Sequence, residues 1–176
     1  MEFKHNLKLL ISREEIAKKV AEYGAIYNEK YKGKTLSLVT ILNGSVFFFA
    51  DFARMLEMPI KMDTITASSY SGTKSNRELV FHKKITKPII ENQHVLIIED
   101  IIDSGLTLEK VYEYILSLKP KSLEILTLAS KKSNHKNFKY KYTSLFEVPD
   151  IYVLGYGFEI DDLYRQLPEI YTLEEE

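Results

Sequence analysis

The sequence lacks cysteine, so disulfides, thiolate zinc sites and thiol nucleophiles are excluded. Its histidines are scattered along the chain, without the spacing of metal ligands. Neither sign of charge is in excess, since 24 Lys and Arg stand against 25 Asp and Glu. The resulting net charge of -1 gives no electrostatic footprint for nucleic acid, so we expect no nucleic-acid partner.

Long hydrophobic runs are also missing. The longest, around residues 46–50, is far too short to span a bilayer. Charges interrupt the apolar residues near the N-terminus, which is not typical of a signal peptide. We therefore expect a cytoplasmic protein with no membrane partner. The chain of 176 residues, 45% hydrophobic and 28% charged, suits one domain with a full core. Its local basic stretch, residues 131–141, is typical of a solvated loop.

Apolar periodicity predicts strands that alternate with helices. Ser12 followed by Glu15 is a capping box, and the apolar positions after it continue a helix to about residue 26. Buried strands are predicted at residues 36–42, 95–98, 123–129 and 151–156, and an alternating strand at 60–69. Further helices are predicted at 46–56 and 106–118, and a polar loop at 71–77. This order predicts an α/β fold with a mainly parallel sheet flanked by helices, whose ligands bind at the carboxyl ends of the strands.

The segment VLIIEDIIDSGLTL, residues 95–108, carries the clearest chemistry. A short apolar strand is followed by two adjacent carboxylates, by Asp103, and by Ser104-Gly105-Leu106-Thr107 at the start of a helix. The helix start offers unpaired N–H groups to a phosphate, and Gly105 lets the backbone approach it closely. Adjacent carboxylates can accept hydrogen bonds from a ribose diol, but they repel phosphates unless a hard cation such as Mg²⁺ intervenes. The segment therefore predicts a ribose 5-phosphate site with a metal.

This segment resembles the phosphoribosyl pyrophosphate motif of the type I phosphoribosyltransferases, and its long form resembles the hypoxanthine-guanine branch. The resemblance extends over nearly the whole chain. Leu42-Asn43-Gly44 is similar to the pyrophosphate loop, Ser68-Ser69-Tyr70 to the start of a mobile lid, and Lys131 to a base-reading lysine. The stretch from Tyr152 to Gly157, together with Arg165, is similar to a hood. The resemblance implies one phosphoribosyltransferase domain over residues 1–176, with a hood formed by the N-terminal segment and about residues 150–176.

The same resemblance implies a role for each matching residue. Glu99 and Asp100 hold the ribose hydroxyls and Mg²⁺, and Asp103 faces purine N7 as general base. The 5-phosphate lies against Asp103, Ser104, Gly105, Leu106 and Thr107. Pyrophosphate lies against Asn43, Gly44 and Arg165. The base contacts Lys131, Tyr152, Val153 and Glu159, and Tyr70 covers the site with Ser68 and Ser69. An ammonium at Lys131 donates to a 6-oxo group and disfavours the 6-amino group of adenine.

Two positions depart from the family pattern. The pyrophosphate loop commonly reads Leu-Lys-Gly, with a cis peptide after the leucine, and here it reads Leu42-Asn43-Gly44. Asn43 removes a positive charge, although its amide and the loop N–H groups can still donate. Glu159 stands where aspartate is usual near the metal and base, so its place as a third metal ligand is the weakest of the three.

The expected reaction is transfer of a phosphoribosyl group from phosphoribosyl pyrophosphate to hypoxanthine, and also to guanine, with Mg²⁺. A homodimer or homotetramer is implied by family likeness alone. Two alternatives stay open at this point. One is a related enzyme that prefers xanthine or, less consistently with Lys131, adenine. The other is a regulator that binds the phosphoribosyl ligand without catalysis, against which the intact Asp103 and Arg165 argue.

Overall fold

A computed structural model describes residues 6–69, 79–83 and 85–174. The helices in this part of the chain are α1 (Arg13–Lys30), α2 (Val46–Arg54), α3 (Lys87–Ile90) and α4 (Leu106–Ser117). The strands are β1 (Leu7–Ile11), β2 (Leu36–Leu42), β3 (Ile60–Ser69), β4 (Leu79–Lys83), β5 (His94–Ile102), β6 (Ser122–Ser130), β7 (Thr143–Glu147), β8 (Val153–Leu154) and β9 (Ile170–Leu173).

The main sheet has six strands in the order β4-β3-β2-β5-β6-β7. All neighbours are parallel except β4, which pairs antiparallel with β3 at one edge. The chain moves outward from β2 to β3 in one direction, and from β5 through β6 to β7 in the other. The order therefore reverses between β2 and β5, which is where open α/β sheets bind their ligands. The predicted α/β fold with a mainly parallel sheet is confirmed.

Both faces of this sheet are covered. Along β2, Leu38 packs into the cluster under α1 and α2, whereas the next residue, Val39, packs into the cluster under α4. Successive strand side chains point to opposite faces, so a strand covered on both faces is a continuous apolar run. This is why β2 is mainly apolar, with only Ser37 and Thr40 as polar residues, and why its predicted bounds are the observed ones.

A second, three-stranded antiparallel sheet has the order β1-β9-β8. It joins the N-terminal strand to the C-terminal part of the chain, in the arrangement that the resemblance implies for a hood. Sequence patterns placed a strand over residues 151–156, but the structure keeps only Val153–Leu154 as a strand, and it lies in this small sheet. Gly155 and Gly157 have positive φ there, so an extended backbone cannot continue.

Other boundaries follow local signals closely. The capping box of α1 is present, with the Ser12 hydroxyl accepting from the Glu15 N–H and the Glu15 carboxylate accepting from the Ser12 N–H. The helix after β2 ends at Arg54 rather than at residue 56. The largest difference is β5, which was predicted to end at Ile98 and continues to Ile102 because Glu99, Ile101 and Ile102 still pair with β6.

Candidate functional site

The predicted 5-phosphate site, which we call the phosphate cradle, lies at residues 103–107, where β5 passes into α4. Gly105 is the residue before the helix, and its φ of 77° turns the chain sharply into the first helical turn. The N–H groups of that turn have no intrahelical partners, so they can bind an anion. They open onto a cavity of about 230 Å³. Its lining comprises Ile41, Glu99, Ile101, Asp103, Ser104, Gly105, Thr107 and Leu108. Leu106, the other residue predicted here, is exposed at the first position of α4.

Glu99 and Asp100 extend the strand at the switch point between β2 and β5. Glu99 is only 9% exposed, and one of its carboxylate oxygens accepts from the Asp100 N–H at 3.1 Å. Burial raises the pKa of Glu99 well above its usual value, and the neighbouring Asp100 charge adds to this effect. Burial also raises the pKa of Asp100. Within the described residues no basic side chain forms a salt bridge with either acid, and the charge of Arg165 offsets only part of the rise in the Asp100 pKa.

The loop after β2 meets this acid pair. The Leu42–Asn43 peptide is cis, as the family pattern implied. Gly44 has no side chain because there is no room for one: a Cβ there would lie 1.7 Å from Asp100 Oδ2. On the other side, a Cβ at Gly157 would lie 1.8 Å from the Gly44 carbonyl oxygen. Three chain segments that are far apart in sequence therefore converge on one glycine.

Arg165, in the hood, lies beside the segment that packs against Gly44. Its Nη1 donates to the Gly157 carbonyl at 2.8 Å, so the guanidinium is held on the segment that packs against Gly44. Glu159 lies beside it, with Oε1 3.6 Å from Arg165 Nη2 and Oε2 accepting from the Asp162 N–H at 2.6 Å. Both Glu159 oxygens thus have partners within the hood. A role of Glu159 at the metal or base stays a prediction.

Lys131 and Asp103 are brought together at the ends of β6 and β5. Lys131 Nζ lies 3.5 Å from Asp103 Oδ2 and 3.5 Å from Asp150 Oδ1, and its side chain is only 12% exposed. Asn134 donates to both carboxylates at 2.8 Å. Asp150 and Asn134 were not among the predicted site residues, because neither lies in a motif and only the tertiary contact shows them.

Tyr152 and Val153 border the hood with different exposure. The Tyr152 side chain is 72% exposed, which leaves its ring free to stack on a base rather than fill the core. Val153 is buried, so any contact it makes with a base edge would use its main chain. Ser68 and Ser69 end β3, and the structure does not describe their side chains. Tyr70, the predicted cover of the site, lies outside the described residues together with the loop that follows it.

The basic segment 131–141 is not uniformly solvated. Several of its polar residues are exposed, as expected, but His135 is buried. Its Nδ1 lies 3.0 Å from the Asp103 carbonyl oxygen and its Nε2 lies 2.8 Å from the Tyr142 hydroxyl. The Phe138 ring packs against Gly105. The segment therefore packs against the residues of the phosphate cradle. A single histidine in a basic stretch gives no sequence signal of such packing.

The acid pair suits Mg²⁺ with a ligand present. Within residues 6–69, 79–83 and 85–174, no three His, Asp or Glu side chains form a metal-binding cluster. Mg²⁺ is commonly bound by one or two carboxylates, with waters and substrate phosphates completing its octahedron. Buried Glu99 and partly buried Asp100, which form no salt bridge within the described residues, match that pattern.

The described part of the chain holds no helix of the length and apolarity needed to cross a bilayer.

The sequence matches the phosphoribosyl transferase domain family over residues 10–163. It is 42% identical over 170 residues to a hypoxanthine-guanine phosphoribosyltransferase of Staphylococcus epidermidis, which covers 96% of this chain and 94% of that protein. It is 40% identical over 171 residues to the hypoxanthine phosphoribosyltransferase of Escherichia coli, with 95% of each chain covered.

A crystal structure of a hypoxanthine phosphoribosyltransferase from Staphylococcus aureus superposes with a TM-score of 0.88 and 38% identity, covering 95% of this chain and 91% of that one. Identity at this level over nearly the whole length, with the same fold, shows common descent rather than a shared architecture alone. The chain belongs to the hypoxanthine-guanine phosphoribosyltransferases, a branch of the phosphoribosyl transferase domain family.

Proposed function

We propose that this protein is a purine salvage enzyme that transfers the phosphoribosyl group of phosphoribosyl pyrophosphate to hypoxanthine, and also to guanine. The bond from C1 of the ribose to pyrophosphate breaks, and a bond from C1 to N9 of the base forms. The products are IMP or GMP and pyrophosphate. The observation that carries the proposal is a pair of neighbouring carboxylates, buried Glu99 and partly buried Asp100, which form no salt bridge within the described residues and lie between the anion cradle and the loop at Gly44.

The residues around this pair each bind a different part of the substrate. The first turn of α4, with Ser104 and Thr107, binds the 5-phosphate through N–H groups and hydroxyls. Glu99 and Asp100 accept from the ribose diol. Asn43, the N–H groups of its loop and Arg165 bind the pyrophosphate. Mg²⁺ held by Glu99 and Asp100 would neutralise charge on the leaving group when it is bound.

Asp103 and Lys131 serve the base. As C1 leaves pyrophosphate, positive character develops on the sugar and N9 attacks it. The proton on N7 of the incoming base then passes to the Asp103 carboxylate, which acts as general base. The Lys131 ammonium donates to the 6-oxo group and has no acceptor for the 6-amino group of adenine. Tyr152 stacks on the ring, and the Val153 main chain borders its edge.

The hood, from the N-terminal segment and about residues 150–176, is part of the same single domain. A cytoplasmic location and a homodimer or homotetramer, which the family resemblance implies, are further parts of this proposal. One relative, from Tritrichomonas foetus, is named a hypoxanthine-guanine-xanthine phosphoribosyltransferase, at 37% identity over 169 residues. Xanthine is therefore included in the test below.

The test is a turnover panel of hypoxanthine, guanine, xanthine and adenine with phosphoribosyl pyrophosphate, with Mg²⁺ and with EDTA. We expect turnover of hypoxanthine and guanine, little of adenine, and loss of activity with EDTA. Asp103→Ala should lower kcat by about 10²- to 10⁴-fold, the range for loss of a proton-transfer group, while still binding phosphoribosyl pyrophosphate. Binding without turnover of any base would favour a regulator, and near-normal turnover by the variant would refute the role of Asp103.

A further inference from the structure

Four polar side chains beside the base site form a closed ring: Asp103, Lys131, Asn134 and Asp150. The Asn134 amide nitrogen donates to Asp103 Oδ1 and to Asp150 Oδ1, each at 2.8 Å. The Lys131 ammonium faces Asp103 Oδ2 and Asp150 Oδ1 at 3.5 Å each. Two carboxylates are therefore held between one carboxamide and one ammonium.

Every hydrogen-bonding atom of the Asn134 side chain has a partner. A carboxamide nitrogen carries two hydrogens, and each of them has a carboxylate acceptor. Its oxygen accepts from the Ser133 hydroxyl at 2.7 Å. This contact orients the amide so that its nitrogen faces the two carboxylates. Every polar atom of this side chain is used, although the residue is exposed.

The Lys131 ammonium has only long contacts within the ring. Hydrogen bonds between an ammonium and a carboxylate usually measure about 2.7–2.9 Å, and both distances from Lys131 exceed that range. The shorter contacts of the ring belong to the amide, so the carboxylates are held toward Asn134 rather than against Lys131. Lys131 keeps its donors for another acceptor.

The main chain at Asp103 is held from the same segment. His135 Nδ1 lies 3.0 Å from the Asp103 carbonyl, which is an acceptor only, so Nδ1 carries the proton. Nε2 then accepts from the Tyr142 hydroxyl at 2.8 Å. Asn134 and His135 thus contact the side chain and the main-chain carbonyl of one aspartate.

We propose that Asn134 is a positioning residue for the base. It holds Asp103 and Asp150 back from Lys131, so that the ammonium stays available to a 6-oxo group and Asp103 keeps facing the purine. This inference rests on the proposed function and adds a specific residue to it. Without Asn134, Asp103 would rotate into a close salt bridge with Lys131, and both groups would be withdrawn from the base.

The test compares Asn134→Ala and Asn134→Asp with Asn137→Ala, an exposed asparagine of the same segment. Asn134→Ala should lower kcat/KM for hypoxanthine by about tenfold to hundredfold, the range for hydrogen bonds to charged groups. The KM for phosphoribosyl pyrophosphate and the melting temperature should stay near the wild-type values. Asn134→Asp, of nearly the same shape, replaces two donors by a third carboxylate and should lose more. Asn137→Ala should behave as the wild type.

A double-mutant cycle with Asp150→Ala tests the route through the ring. The loss caused by Asn134→Ala should shrink at least about twofold when Asp150 is already alanine, the lower limit of measured couplings. Full additivity, an unchanged kcat/KM in Asn134→Ala, or an equal loss in every kinetic constant with a lower melting temperature would overturn the inference.

The wild-type protein separates this inference from the proposed function. Calorimetric binding of IMP to wild type and to Asn134→Ala needs no turnover, and should be weaker in the variant. A wild type that turns over no 6-oxopurine and binds no IMP would overturn both. An active wild type with unaffected variants would overturn only the role of Asn134.

Discussion

Glu99 and Asp100 oppose folding of the metal-free protein at neutral pH. Burial raises the pKa of both carboxyls, so between the ordinary and the raised pKa the folded state binds more protons than the unfolded state. Stability contributed by these groups is therefore greatest below the ordinary carboxyl pKa of about 4. It falls as pH rises toward the raised values and stays low above them. A cation shared with substrate oxygens, as proposed above, would remove this penalty.

Glu99→Gln should accordingly stabilise the metal-free protein while it abolishes efficient turnover. In EDTA near neutral pH we expect its melting temperature to rise by at least about 2 °C, the shift that 1 kcal/mol gives in a domain of this size. The gain should shrink as the pH is lowered toward 4. Thermal unfolding across this pH range, with the exposed Glu57→Gln as control, makes the measurement. A variant that is less stable, or a gain that does not depend on pH, would contradict the assignment of a buried charge.

Among the secondary-structure elements, the site depends on how closely three chain segments approach each other. The loop after β2, the end of β5 and the turn at Gly157 meet at Gly44, where the described contacts leave no space for a side chain. Close contact of this kind fixes the Asp100 carboxylate relative to the pyrophosphate loop. A displacement of about 1 Å can cost a catalytic site about a hundredfold in rate.

Gly44→Ala should therefore push the Asp100 carboxylate aside and lower kcat/KM for phosphoribosyl pyrophosphate by about a hundredfold. Gly33→Ala is the matched control, because that glycine has a positive φ of 71° but nothing within 4 Å of an added Cβ. The control should lose about 1–2 kcal/mol of stability from its backbone conformation, with normal kinetics. Steady-state kinetics and thermal unfolding of both variants test this. Equal kinetics in the two would mean that the contact at Gly44 does not hold Asp100.

At the scale of the whole molecule, the hood and the main sheet share one hydrophobic core. Ile11, Val153 and Ile170 of the small sheet belong to the same buried cluster as Leu38 of β2 and Phe48 of α2. A hood with a separate core could unfold on its own. Unfolding of this hood would expose the apolar face of the main sheet. This supports the proposed single domain.

Ile170→Ala should destabilise the protein by about 2–5 kcal/mol, since Ile170 is fully buried and alanine leaves a cavity. Unfolding should remain one transition. Leu163→Ala, at a hood position that is 44% exposed, should change stability by less than about 1 kcal/mol. Urea unfolding followed by circular dichroism and by tyrosine fluorescence should give coincident curves for both variants. A separate early transition in Ile170→Ala would show that the hood is an independent unit.

Several parts of this protein could be predicted from local sequence signals alone. β2 reads as a strand because both of its faces are buried, and the start of α4 reads as a phosphate cradle because glycine and hydroxyl residues follow a strand directly. The capping box at Ser12 and Glu15 is complete within four residues. Each of these signals arises from neighbours in the chain, so periodicity and composition contain it.

Contacts between distant segments could not be predicted from such local signals. β1 and β9 pair across most of the chain, and both are too short for periodicity to identify them. The extension of β5 to Ile102 depends on pairing with β6, which no pattern within β5 encodes. In the same way, Asn134 meets Asp103, and Lys131 meets Asp150, only when β5, β6 and the hood are assembled. Contacts between residues far apart in sequence are determined by packing, and packing is a property of the folded chain rather than of any of its segments.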